Sequence, residues 1–467
     1  MSRIKTDICV IGGGSGGLSV AAGAVQMGAR VVLIEGHKMG GDCLNYGCVP
    51  SKALLAAARD AHAAGPVDAD AARARYTAAQ ARVQAAIAAI APHDSVERFQ
   101  GLGVQVIEAY AHFVGPDTVE AAGQTIQARR FVIATGSSPL VPPIPGLTET
   151  PHFTNETLFD NPDLPGHLLV IGGGPIGLEM ALAHRRLGAR VTVIEGARAL
   201  GRDDADAAEV VLSHLRGEGI EIIEGAQVEK VSGRKGAIEL QVAGGTVFHG
   251  THLLVAVGRK PNIERLNLDA AGIVHDRTGV RVGDDLRTSN RRVHAIGDVA
   301  GRGQFTHLAG YHAGVIIRSM LFGLPAKARA DHIPRVTYTA PELAQVGPTE
   351  AEARHKYGGR LEVLRVDMAQ IDRAQAEGRT EGFLKLLVVS GRPVGATIVG
   401  AHAGELIAPL CVAVSARMKL SALAGTVLPY PTLAEIGKRG AGAYFSPRLF
   451  DNPMVKRVVR LVQRFMP

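Results

Sequence analysis

Short apolar runs that meet glycines punctuate this chain twice, in the same order and 160 positions apart, from Gly12 to Gly172. The first copy reads Asp7-Ile-Cys-Val-Ile-Gly12-Gly-Gly14-Ser-Gly-Gly17-Leu, continues to Met27-Gly28-Ala-Arg, and closes on Val31-Val-Leu-Ile-Glu35. The second reads Leu168-Leu-Val-Ile-Gly172-Gly-Gly174-Pro-Ile-Gly177-Leu-Glu179, then Leu187-Gly188-Ala-Arg, then Val191-Thr-Val-Ile-Glu195. A short apolar run bounded by turn residues predicts a buried strand, and the Ala/Leu stretch between two such runs has helical length. Each copy therefore predicts a strand–helix–strand unit. The Ala-rich residues 53–93 predict two helices broken near Gly65-Pro66, and the four prolines of residues 137–146 mark a linker. Alternating runs near 218–257 predict strands, and mixed strand and helix patterns beyond Ile333-Pro334 predict a third domain.

The glycine spacing carries chemistry. In GxGxxG the first glycine permits a tight strand-to-helix turn, the second admits a pyrophosphate to the backbone, and the third lets helix and strand pack closely. Phosphates would then face unpaired N–H groups at the helix start. The closing acids, Glu35 and Glu195, would accept hydrogen bonds from a ribose. Two dinucleotide sites are therefore expected. Glu195 would repel a 2′-phosphate, which favours NAD(H) over NADP(H) despite Arg198 nearby.

Directly after the first unit stands Met39-Gly-Gly-Asp-Cys43-Leu-Asn-Tyr-Gly-Cys48-Val-Pro-Ser-Lys52. A bond between Cys43 and Cys48 would close so small a loop that it adds little stability, so the pair reads as redox-active rather than structural. Cys48 precedes an apolar helical stretch, and a thiol at a helix start is held toward the thiolate. Two free thiols or half of a metal site are the alternatives. No second Cys pair or His cluster supplies further ligands, so no metal site is expected. Cys9 and Cys411 read as buried small hydrophobes.

Length and composition add bounds. At 467 residues the chain exceeds the ~100–200 of one domain, so two or three cores are expected. Hydrophobic residues at 46% and charged residues at 20% exclude a disordered or fibrous chain. The net charge of +7 raises nucleic acid or an acidic membrane as partners, but 4% aromatic content without Trp leaves few platforms for bases. No nucleic acid is expected. Four cysteines are too few for a disulfide scaffold. The first apolar run, Ile8 to Ile11, is too short for a signal peptide, and none approaches the ~18 residues of a membrane span. These features predict a soluble, cytoplasmic protein.

Taken in order, the motifs resemble those of the class I pyridine nucleotide-disulfide oxidoreductases, the family of dihydrolipoamide dehydrogenase, glutathione reductase and mercuric reductase. Ala134-Thr135-Gly136-Ser-Ser-Pro, Val257-Gly258-Arg-Lys-Pro-Asn262 and Ala295-Ile-Gly297-Asp298-Val-Ala extend the likeness over nearly the whole chain. The resemblance implies an α/β fold: two Rossmann-like dinucleotide-binding domains, for FAD and NAD, plus an α+β C-terminal dimerisation domain. Its implied boundaries are 1–148 and 265–332 for the FAD domain, 149–264 for the NAD(P) domain and 333–452 for dimerisation; the residue pattern itself marks 453–467 as a basic C-terminal helix. It implies cofactor contacts at Gly12, Gly14, Gly17, Glu35, Asp42, Lys52, Ala111, Thr135, Gly136 and Asp298, and at Gly172, Gly174, Gly177, Glu195 and Gly258. NADH would reduce FAD, and a Cys43–Cys48 disulfide would take the electrons, with Cys48 nearer the flavin and Cys43 exchanging with substrate. Lys52 would pair with Glu179 near the flavin. A homodimer would lend Tyr430 and Glu435 to the other subunit's site.

One position departs from the pattern. Disulfide-reducing members carry His-Pro-Thr-x-x-Glu near the C-terminus, whereas this chain has Tyr430-Pro431-Thr432-Leu-Ala-Glu435. An imidazole titrates near ~6.5 and a phenol near ~10, so Tyr430 is a poor base at neutral pH. Tyr at this place is similar to mercuric reductases, but their C-terminal Cys pair is missing. The expected acceptor is a thiol/disulfide or metal ion. Alternatives are an electron donor to a quinone or protein partner at a membrane, or dihydrolipoamide dehydrogenase. His307 and His312 read as structural.

The last residues explain the charge. Five cations against Asp451 in residues 447–467 hold four of the seven excess charges. Val455, Val458, Val459, Val462 and Met466 share one helical face, and Lys456, Arg457, Arg460 and Arg464 lie largely opposite. Peripheral membrane contact and docking on the protein itself are both open for such a tail.

Overall fold

A computed structural model describes residues 3–466; Pro467, the last residue of the expected tail helix, lies outside the described residues, as do Met1 and Ser2. The chain forms two compact units, Met1–Arg198 with Ile220–Arg329, and Ala199–Gly219 with Ala330–Pro467.

In the first unit, the two glycine repeats become two parallel sheets. One places Gln105–Glu108, Val31–Glu35, Arg3–Ile11 and Gln124–Ile133 side by side, with Val293–Ala295 also on Gln124–Ile133. Its register sets Val10 against Leu33 on one side and Val132 on the other, so the unbroken apolar runs are buried on both faces. The antiparallel strands Thr118–Ala121 and His112–Gly115 complete it. The second sheet runs Glu221–Ile223, Arg190–Ile194, His167–Ile171, His252–Val255, all parallel. Its flanking meander, Val228–Arg234, Ala237–Val242 and Val247–Gly250, supplies the strands expected near 218–257. The Ala-rich stretch forms helices Cys48–Ala63 and Ala69–Ile90 on either side of Gly65-Pro66.

The second unit is built on a five-stranded antiparallel sheet, in the order Pro334–Thr337, Glu342–Val346, Arg392–Gly400, Phe383–Val389, Leu361–Asp367. Leu384, Leu386 and Ile398 fill its core beneath helices Ala408–Ser415 and Glu435–Phe450. Helix Ala205–Gly217, within the 149–264 block that the sequence marks as one domain, belongs to this unit. Lys385 fastens it there: the buried ammonium lies 2.8 Å from Asp204, 2.7 Å from Asp206 and 2.8 Å from Glu350. Cys9 is fully buried as expected, whereas Cys411 is only half-buried.

Three histidines in the first unit, His184, His294 and His312, are buried, and burial holds each ring down at about 4. A depressed folded pKa means that stability is full above the unfolded value near ~6.5 and is lost as pH falls toward the folded one, by about 2 kcal/mol per ring at pH ~5. Neither ring nitrogen of His294 has a hydrogen-bond partner among the described residues. His294→Leu is therefore expected to flatten the fall in Tm between neutral pH and pH ~5 by thermal denaturation. A slope as steep as that of the parent contradicts this account.

Candidate active site

The two glycine turns have the same build. Gly12 and Gly172 adopt φ of +113° and +112°, and their amides donate to Ile34 and Ile194 at 2.8 and 2.9 Å. A Cβ on the third glycine of either repeat would strike a carbonyl of its own loop, 1.9 Å from Gly12 O at Gly17 and 2.0 Å from Gly172 O at Gly177. The middle glycines are different. A Cβ at Gly174 would meet nothing within 4 Å, and one at Gly14 only the Gly41 Cα at 3.8 Å. Packing thus explains the outer glycines, and the open space at the middle ones fits a group arriving from outside. Gly14 and Gly174 also cap helices Ser15–Gln26 and Pro175–Arg186 without a side-chain acceptor or a first-turn acid, leaving their N–H groups for an anion. Both turns fit a dinucleotide pyrophosphate.

The closing acids brace these loops. Glu35 accepts from Gly13 N at 2.5 Å and His37 N at 2.6 Å; Glu195 accepts from Gly173 N at 2.7 Å and Ala197 N at 2.9 Å. Each carboxylate is thereby fixed beside its turn, where a ribose would be read.

Cys43 lies in the short helix Gly41–Asn45, and Cys48 is the first residue of helix Cys48–Ala63. Gly47 between them makes the approach possible, since a Cβ there would sit 2.9 Å from Asp42 Oδ2 and 3.3 Å from Cys43 Cα. Both thiols are free, Cys43 half-buried and Cys48 exposed. The Cys43 thiol hydrogen-bonds the Cys48 sulfur and, with further help from Thr306 and the Lys52 cation, holds Cys48 down at about 6. The same bond, with burial, pushes Cys43 up. At neutral pH the site therefore carries one thiolate, at Cys48, and one thiol, at Cys43. The Thr306 hydroxyl stands 3.4 Å from the Cys48 sulfur.

One helical turn beyond Cys48, Lys52 Nζ lies 2.7 Å from Glu179 Oε2. The Glu179 side chain is 5% exposed, so its charge is answered within the protein. Asp298 sits at the edge of this site; burial pushes its carboxyl up, and Ser137 Oγ donates to it at 2.5 Å. Arg259 donates to Ser137 Oγ at 2.8 Å and pairs with Asp42 at 2.9 Å, while Asn155 also donates to Asp42, at 3.1 Å. A polar chain thus joins the cysteine loop to the Asp298 loop.

The remaining expected contacts are placed as follows. Ala111 is buried in the core, Thr135 Oγ donates to Asn262 O at 2.7 Å, and Gly136 and Gly258 take φ of +66° and +137°. Ala111, Gly136 and Gly258 offer a cofactor backbone only, whereas the Thr135 hydroxyl, its hydrogen given to Asn262, keeps acceptor capacity. His312 Nδ1 accepts from Gly297 N at 3.2 Å and so supports the Asp298 turn, while exposed His307 stacks on Phe305. Sequence reasoning passed over Thr306, Arg259 and Asn155. Arg259 lies inside the Val257–Asn262 motif and Thr306 stands next to His307, while Asn155 carries no sequence signal.

In the C-terminal unit, Tyr430 Oη donates to Asp372 Oδ2 at 2.8 Å, and Arg439 pairs with the other carboxylate oxygen at 3.2 Å. Asp372 pushes the phenol up from its ordinary value. Glu435 opens helix Glu435–Phe450, and its buried Oε2 has no hydrogen-bond partner among the described residues. No group of three or more His, Cys, Asp or Glu that could hold a metal ion, and no helix long and apolar enough to cross a membrane, occurs among the described residues.

Comparison with known proteins agrees with this geometry. The pyridine nucleotide-disulphide oxidoreductase family matches residues 6–313, and the dimerisation domain of the same family matches residues 333–440. Mercuric reductase from Acidithiobacillus ferrooxidans is 35% identical over 452 residues, covering 92% of this chain and 81% of that protein. Mercuric reductase from Streptomyces lividans is 32% identical over 463 residues, covering 94% and 96%. Among solved structures, the Cu(II) complex of the HOCl-induced flavoprotein disulfide reductase RclA from Escherichia coli aligns with a TM-score of 0.84 at 28% identity, covering 94% of this chain and 99% of that one. LpdA from Mycobacterium tuberculosis aligns with a TM-score of 0.84 at 26% identity over 95% and 99%. The dimerisation domain supports a homodimer, and the relatives support FAD and a pyridine nucleotide as cofactors. The chain thus belongs to the pyridine nucleotide-disulphide oxidoreductase family, as an NAD(P)H-dependent flavoprotein disulfide oxidoreductase.

Proposed function

We propose that this enzyme oxidises NADH in the cytoplasm and delivers the electron pair, through Cys43 and Cys48, to a metal ion held by thiolate sulfur. The observation that carries this reading is the pairing of a thiolate at Cys48 with a Tyr430 hydroxyl that already donates to Asp372. Exchange with an organic disulfide needs a base that moves protons near neutral pH, and a phenol raised by a neighbouring carboxylate is not one. A metal ion needs thiolates and no proton shuttle. The named activity of the mercuric reductase relatives supports the same acceptor class. Bound flavin supplies the two-electron relay between nicotinamide and sulfur; the residues around it hold charge. Lys52 places a cation at the site, Glu179 fixes it, and Thr306 and Cys43 hold negative charge on Cys48. The C-terminal unit of each protomer lends Tyr430 and Glu435 to the other, and the exposure of Tyr430 within the matched dimerisation domain supports that arrangement.

NADH oxidation assayed against Hg(II), Cu(II), lipoamide and glutathione disulfide tests the acceptor. Metal-ion turnover above disulfide turnover is expected, and the reverse order overturns the reading. Tyr430→His is expected to raise lipoamide turnover about a hundredfold, the low end of what a placed base contributes. No gain in a protein that keeps its FAD contradicts the missing base. Because Glu195 stands fixed at the second turn, kcat/KM is expected to favour NADH over NADPH by about tenfold or more. An NADPH advantage overturns that preference.

A further inference from the structure

The C-terminal helix Pro453–Phe465 is set up deliberately at its start. Pro453 occupies the first turn, and Asn452 Oδ1 accepts from Met454 N at 2.9 Å and Val455 N at 3.4 Å. None of its residues is buried. At 3.6 residues per turn, Met454, Val458, Val459, Leu461, Val462 and Phe465 fill one continuous arc of about 160°. Lys456, Arg457, Arg460 and Arg464 fill a separate arc of about 100° opposite. Docking of the apolar face on its own protomer, one of the two roles open from sequence, is not seen: Met454, Leu461 and Phe465 are each at least 60% exposed. A 13-residue helix is marginal in water unless a surface covers its apolar face.

We propose that this helix lies in the headgroup plane of an anionic lipid bilayer, apolar arc inward and basic arc toward the phosphates. Charge selects this occupant. Helix Pro453–Phe465 contains no acid, and none of its four cations makes an ion pair among the described residues, whereas Arg439 and Arg448 just before it are paired with Asp372 and Glu362. A second copy of this chain carries the same net charge of +7 and offers these cations no general attraction. The match to the family's dimerisation domain ends at residue 440, before the helix begins at Pro453. Four cations over an anionic surface, joined to a wide apolar arc, give the two contributions that hold interfacial helices. The homodimer presents two such helices, and their joint binding exceeds that of one.

Flotation of the FAD-loaded, full-length enzyme with vesicles tests the proposal, using phosphatidylcholine alone or phosphatidylcholine with one third phosphatidylglycerol. The full-length enzyme is expected to float with the anionic vesicles about tenfold more than with the neutral ones. A form ending at Asn452, and the double variant Val459→Asp/Val462→Asp, are expected to stay in solution while keeping dimer mass and NADH-driven turnover. Equal flotation of full-length and shortened forms overturns the proposal, as does flotation of neither. Dissociation of the shortened form to a monomer also overturns it and makes the helix an interface between copies.

Discussion

Serine in place of Cys48 is expected to slow NADH-driven acceptor reduction by about three orders of magnitude or more, the usual cost of removing a nucleophile. Substitution at Cys43 is expected to be as costly for turnover but to divide by residue type on another readout. The largest influence holding Cys48 down at about 6 is the hydrogen bond from Cys43. Cys43→Ser keeps a donor, so the Cys48 titration is expected to remain near neutral or below. Cys43→Ala removes the donor, and the titration is expected to move up toward an ordinary thiol. The pH dependence of Cys48 alkylation in the two variants measures this directly. Identical titrations in both contradict the assignment of donor and acceptor.

The second large effect concerns Lys52. Lys52→Met leaves the buried Glu179 carboxylate without the ammonium 2.7 Å away. Removing one partner of a buried pair is costly because the other charge stays desolvated. Since Lys52 is itself partly exposed, about 2–3 kcal/mol is expected, less than the ~3–5 kcal/mol of a fully buried pair but enough to lower Tm by several degrees. Lys52→Met/Glu179→Met is expected to recover most of the lost Tm, because it removes the buried carboxylate along with the cation. Turnover is expected to stay low in both, since neither places a cation at the site. A double variant as unstable as the single one contradicts the pair as the source of the loss.

The parts of this site legible in the sequence are those whose reason is local. Gly12, Gly14 and Gly17 announce a turn, an opening and a close packing within six residues, and the same grammar at Gly172 to Gly177 doubles the signal. The tail helix is legible for the same reason, because segregation of apolar and basic positions needs no partner to be seen. What covers the apolar arc is a tertiary question, and the absence of any buried residue from the helix answers half of it. Contacts between distant segments stayed hidden. Thr306 reaches Cys48 across 258 positions, and the chain from Asp42 through Arg259 and Ser137 to Asp298 joins four segments far apart in sequence. Nothing in the composition of those segments indicates that they converge. Helix Ala205–Gly217 likewise joins the C-terminal unit through Lys385, a lysine that pattern alone would assign to the surface.

Tyr430 shows where resemblance and geometry divide the work. Register with Pro431, Thr432 and Glu435 marks it as the residue in the histidine's place. Only the structure supplies Asp372, which accepts the phenolic hydrogen and draws the side chain further from any role as a base.

Anaerobic titration of the FAD-loaded enzyme with NADH, followed by absorbance, tests most directly whether electrons reach the cysteine pair. The account predicts a long-wavelength thiolate-to-flavin charge-transfer band that appears on reduction, fades as pH falls through about 6, and is missing in Cys48→Ser. Reduction of the flavin with no such band, or a band that survives Cys48→Ser, would contradict it.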